Sequence, residues 1–128
     1  MLHVIASDAR RGAEVFAVAL AASLQDELPG VVVALQKGHG DSWLDVPTLG
    51  DTWWTLSTLR GLRQRMKEAS VVVAHGSATL PAVVCAGVGL PVPRIYTSIG
   101  DPWFWSRTWR RRLQTTLLLR QIDLVTVL

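Results

Sequence analysis

The sequence predicts an α/β domain, a Rossmann-like doubly wound parallel sheet with helices on both faces. Three observations carry that prediction. Residues 31–35 and 71–74 are runs of valine, alanine and leucine with no alternating polar partner, the pattern of strands covered on both faces in a parallel sheet. Segments with apolar residues at helical spacing lie between such runs, Leu59, Leu62 and Met66 being the clearest set. The two kinds of segment alternate along the chain, which is the order that βαβ units produce.

Taken in order, residues 2–6 form a first strand and residues 7–12 the loop that leaves it. Residues 13–28 favour helix and end at Pro29-Gly30. The early part of that helix is apolar nearly all round, which predicts cover on more than one side. Residues 31–35 are the second strand, Gly38-His39-Gly40-Asp41 is a turn, and residues 46–49 are a short edge strand in which Pro47 is tolerable. A second helix over residues 56–67 carries its arginines away from its apolar set.

Strand 71–74 follows, then a small-residue helix over 79–86 with Pro81 near its first turn. After a glycine- and proline-rich break comes a strand over 94–97. Residues 98–105 are an aromatic loop, and Ser106 caps a last helix over 107–121 whose Trp109, Leu113 and Leu117 share a face. Residues 124–128 close as a strand, expected in the interior of the sheet.

At 128 residues the chain is long enough to bury a core and reads as one domain, without repeats, linkers or low-complexity tracts. Apolar residues make up 49% and charged residues 18%, which excludes general disorder. The net charge of +3 favours anionic partners only weakly, so no nucleic acid is expected. The single cysteine, Cys85, can form no intramolecular disulfide and is expected to be a buried small hydrophobe. Arg10-Arg11 ahead of an apolar run imitates a signal peptide, but Glu14 and the apolar residues before the arginines spoil the imitation. No apolar run is long enough to cross a bilayer, and a cytoplasmic protein, soluble or peripheral at a membrane, is expected.

Chemistry is expected at the carboxyl ends of the strands, where open α/β sheets bind ligands. With the first strand beside the fourth, three loops face one another there: residues 7–12, 75–77 and 98–105. His75 is either a hydrogen-bond donor or proton carrier near neutral pH, or a histidine satisfied by neighbouring backbone. Ser77 or Thr79 is expected to cap the following helix rather than to take part in catalysis. Gly12 opens the first helix, whose amides and dipole suit a phosphate, with Arg10 and Arg11 either assisting the anion or solvated. The three spaced glycines of the dinucleotide fingerprint are absent. His3, His39 and His75 fall in unrelated elements and give no metal-ligand spacing. Trp103, Trp105 and Trp109 interleaved with Arg107, Arg110, Arg111 and Arg112 suit an anionic membrane surface or nucleic acid, against a solvated helix face with tryptophans packed beneath it.

Three segments together resemble the amino-terminal domain of GT-B glycosyltransferases of family 4, the retaining nucleotide-sugar enzymes. Leu2-His-Val-Ile with Arg11-Gly12-Ala13-Glu14-Val15-Phe16 is similar to the family's first strand and its Gly-Gly-Ala-Glu loop. Val71 to Gly76 is similar to Val-Val-His-Ala-His-Gly, and Tyr96-Thr-Ser-Ile-Gly-Asp-Pro-Trp103 to an acceptor-side loop of some members. The resemblance implies that residues 1–128 are the acceptor-binding domain of such an enzyme, truncated before the carboxyl-terminal domain that holds the nucleotide sugar, and not active alone.

It also implies a sugar acceptor, lipid-linked acceptors included, a nucleotide-sugar donor, no cofactor and no metal. His75 matches the active-site histidine, and Gly12 the glycine near the donor phosphates. Arg11, Gly76, Ser77, Ser98 and Asp101 fall in the matched loops as substrate-binding residues. Arg11 stands where the family has a glycine, which puts close approach of phosphate to that amide in question. The alternative is a noncatalytic subunit that binds the acceptor, or recruits it at a membrane, for a separate catalytic chain.

Overall fold

The structure, a computed structural model, describes residues 1–99 and 108–128. Its six strands are β1 (Leu2–Ser7), β2 (Val31–Gln36), β3 (Thr48–Gly50), β4 (Val72–His75), β5 (Arg94–Ser98) and β6 (Leu124–Val127). The helices are α1 (Gly12–Ser23), α2 (Leu56–Glu68), α3 (Leu80–Ala86) and α4 (Trp109–Leu119). All strands run parallel in the order β3-β2-β1-β4-β5-β6. The order reverses between β1 and β4, so the crevice at their carboxyl ends is the topological switch point.

Alternation along β1 sorts the core into two layers. Leu2 and Val4 join Val33, Leu35, Val72, Ala74 and Tyr96 under α2 and α3, with Leu62, Met66 and Val83 as the buried helical partners. Ile5 and Ala34 face the other way, against Ala17 of α1. The sheet is therefore doubly wound, with helices on both faces, as the apolar strands required.

Several elements differ from expectation for physical reasons. Helix α1 stops at Ser23, and residues 24–28 continue only as turns; Asp26 and Glu27 sit where the helix dipole disfavours acids. Its buried residues are Glu14, Ala17 and Ala21, a single stripe, so it is covered on one side rather than several. Strand β3 begins only after Pro47, which has no amide to donate but whose carbonyl accepts from Ala34 N at 2.9 Å.

Cys85 is exposed, not buried: α3 turns Leu80, Ala82, Val83, Val84 and Ala86 inward and leaves position 85 outside. Thr108 caps α4 by accepting from Arg111 N at 3.4 Å, and Ser106, proposed for that role, lies outside the described residues. Trp109, Leu113 and Leu117 do share a face of α4, but that face is exposed, and Leu118, Leu119 and Ile122 pack on the core instead. Strand β6 is an edge of the sheet, not interior, and Leu124, Val125 and Val127 are exposed.

Candidate functional site

Strand β1 ends at Ser7, whose side chain is buried although its hydroxyl has no hydrogen-bond partner. The loop that follows is tied down by its neighbour: Asp8 Oδ1 accepts from Gly38 N at 2.6 Å, and Arg10 N donates to Ser42 O at 3.2 Å. Arg11 then occupies the cap position of α1 with φ −122° and ψ 168° and gives the helix no side-chain cap. That backbone is ordinary extended conformation, so the arginine is accommodated where the resembling family has a glycine. The first amides of α1 are left without a side-chain acceptor, at the positive end of the helix dipole.

A cleft of about 190 Å³ opens here, lined by Ser7, Arg11, Gln36, His39, Trp53 and Ala78 among others. Gln36 helps to shape it, because its side-chain oxygen accepts from Trp53 N at 3.0 Å. An arginine beside open helix amides is the chemistry of an anion site, and the buried Ser7 hydroxyl lies behind the lining. Trp53 also lines a second hollow of about 280 Å³, together with Ser77, Arg111, Gln114 and Thr115. A hollow of similar size lies at the opposite edge of the sheet, around Met1, Gly30 and Arg65, remote from the strand carboxyl ends.

The turn after β4 meets the turn after β1. Gly76 has φ +79°, and a side chain there would reach Ala13 Cβ at 3.9 Å. Thr79 takes the cap position of α3, but its hydroxyl donates to the carbonyls of Gly76 at 2.9 Å and His75 at 3.2 Å and caps no amide. The expected capping role is therefore not the one it plays: the hydroxyl pins the Gly76 turn. Arg11, Gly12, Gly76 and Ser77 thus gather along one rim. Ser98 ends β5 on the same edge and is buried, while Asp101, Trp103 and Trp105 lie outside the described residues.

His75 is placed otherwise. It is the last residue of β4, only 2% exposed, and its Nε2 lies 3.0 Å from Nδ1 of His3. The ring centroids are 5.3 Å apart with planes 20° from parallel, so the imidazoles meet edge to edge through one hydrogen bond. The edge of Phe16 from α1 closes over His75, with centroids 6.2 Å apart. Burial, and then the neighbouring His3, lower the His75 pKa to about 4. Burial, and then the positive amino terminus, lower that of His3. Both rings are therefore neutral near pH 7, one donating to the other, and His75 Nδ1 and His3 Nε2 are buried without partners.

The backbone of His75 reaches the rim, but its ring lies beneath α1 and lines neither cleft. The three histidines are also not all unrelated, since pairing of His3 with Val73 sets His75 on the same sheet face two residues further along. Register was the signal for this pair. Ser7 fell in a loop expected at the site, but nothing local in the sequence marked Gln36 or Trp53: the β1–β2 register sets Gln36 beside Ser7, and the loop after β3 brings Trp53 to Gln36. Comparison with family models, with curated proteins and with solved structures finds no match for this chain.

Proposed function

We propose that this chain is the acceptor-side half of a retaining glycosyltransferase that uses a nucleotide sugar and works with a separate donor-binding domain. The observation that carries the reading is the rim cleft, where Arg11 and the uncapped start of α1 stand together. In this reading they hold phosphoryl oxygens of the donor and offset the charge that grows on the departing diphosphate. The second hollow that Trp53 lines, with Ser77, Gln114 and Thr115, offers hydroxyl and amide groups to a sugar acceptor. A cytoplasmic location belongs to the same proposal.

His75 serves the site through its backbone. Its ring, neutral and bonded to His3, anchors the end of β4 so that the Gly76 turn keeps its place against Ala13. A noncatalytic subunit that presents an acceptor to another chain would use the same rim, and transfer assays separate the two.

Calorimetric titration of the chain with nucleoside diphosphates and nucleotide sugars is expected to show weak binding that Arg11→Gln reduces at least tenfold without changing the melting temperature. Binding to none of them, or equal binding by the variant, overturns the proposal. If binding is seen, adding a donor-binding domain and measuring nucleotide release distinguishes an enzyme half from a presenting subunit.

A further inference from the structure

The net charge of this chain is unevenly placed. Residues 1–99 carry eight lysine or arginine and eight acidic side chains, so the whole excess of +3 lies in residues 100–128. Residues 109–120 contain Arg110, Arg111, Arg112 and Arg120 and no acid. They form α4 and its carboxyl cap, and α4 is a helix that buries none of its residues.

One side of α4 is committed to the domain: Leu118 and Leu119 pack on the core, and Arg111, Gln114 and Thr115 face the hollow beside α3. The other side carries Trp109, Leu113 and Leu117, spaced four apart and 71%, 53% and 52% exposed. Side chains at that spacing stand in one line along the helix. Arg110 lies beside this line, its guanidinium 5.6 Å from the Trp109 ring centre, and Arg120 continues it one turn beyond Leu117. No helix among the described residues is long and apolar enough to cross a membrane.

We propose that the outer face of α4 lies flat on an anionic lipid surface. An apolar line bordered by arginines, with no acid to repel lipid phosphates, matches a layer that is negative outside and apolar beneath, and tryptophan is at home at that boundary. At about 1.5 Å per residue the helix lies in the interface plane and does not span it. This inference is independent of the glycosyltransferase reading, because it uses no residue of the rim cleft.

The test is co-sedimentation of the full chain with vesicles of phosphatidylcholine alone and of phosphatidylcholine mixed with phosphatidylglycerol. Binding is expected only to the anionic vesicles and falls as salt is raised. Arg110→Gln with Arg120→Gln is expected to weaken it about 25-fold, roughly fivefold for each charge. Trp109→Ser with Leu113→Ser is expected to abolish it while leaving the melting temperature unchanged, since both side chains are exposed. Equal binding to neutral vesicles, or binding that survives loss of Trp109 and Leu113, overturns the proposal. So does a doubled mass in solution that those substitutions remove while vesicles go unbound, which would assign the face to a second copy of the chain.

Discussion

The centre of the sheet and its β6 flank are built from the same residue types and end in opposite environments. Val4, Val33 and Val72 are fully buried on β1, β2 and β4, whereas Val125 and Val127 on β6 are exposed. Leu62 of α2 is fully buried, whereas Leu113 and Leu117 of α4 face outward. The centre is held by burial from both layers. The flank is held more by polar ties: Asp123 Oδ2 accepts from Arg94 N at 2.8 Å, and the Thr126 hydroxyl donates to that of Thr97 at 3.0 Å. Apolar residue type is therefore a poor guide to stability in this molecule, and what covers the residue is a better one.

Truncation at matched positions is the strongest way to break that contrast. Leu62→Ala is expected to cost about 2–5 kcal/mol in urea unfolding, because it leaves a cavity in the core. Leu117→Ala is expected to stay within about 0.5 kcal/mol. Equal losses would mean that the flank is buried as deeply as the centre.

The buried histidine pair sharpens the contrast through pH. His75 titrates near 4 in the folded chain against an ordinary 6.5, so between those values the unfolded chain binds a proton that the folded chain refuses. Stability is full above about pH 6.5 and falls by about 3 kcal/mol as the pH drops to about 4, with no further loss from this group below that. His3 adds in the same direction. Unfolding midpoints across this range are expected to slope for the native chain and to flatten for His75→Phe, and a flat native profile would place the ring in water.

Two glycines give the smallest contrast. A methyl at Gly38 would collide with Ala9, meeting its backbone N at 2.8 Å, whereas one at Gly12 meets nothing within 4 Å. Thermal melts are expected to show Gly38→Ala losing about 1–3 kcal/mol and Gly12→Ala losing none. Weaker nucleotide binding by a fully stable Gly12→Ala would show that this glycine serves approach of a ligand rather than folding.

Most of the architecture was legible because strand and helix periodicity are local properties. Residues 31–35 announced a buried strand by composition alone, whereas the first strand beside the fourth was the usual order for such sheets, which the structure bears out. The rim was legible in part: the turns at Arg11-Gly12 and Gly76-Ser77 do meet. Their partners were not: Gln36, the last residue of β2, is set beside Ser7 by strand register, and Trp53 comes from the loop after β3, whose course no local pattern records.

What the sequence determined by itself was the set of elements, their parallel pairing and the edge of the sheet where polar groups collect, since each follows from spacing along the chain. Only the tertiary structure decided which apolar faces are covered, that His3 closes on His75 beneath α1, and that Cys85 faces outward. Burial and hydrogen-bond partnership depend on what arrives from distant parts of the chain, and no stretch of residues carries that information alone.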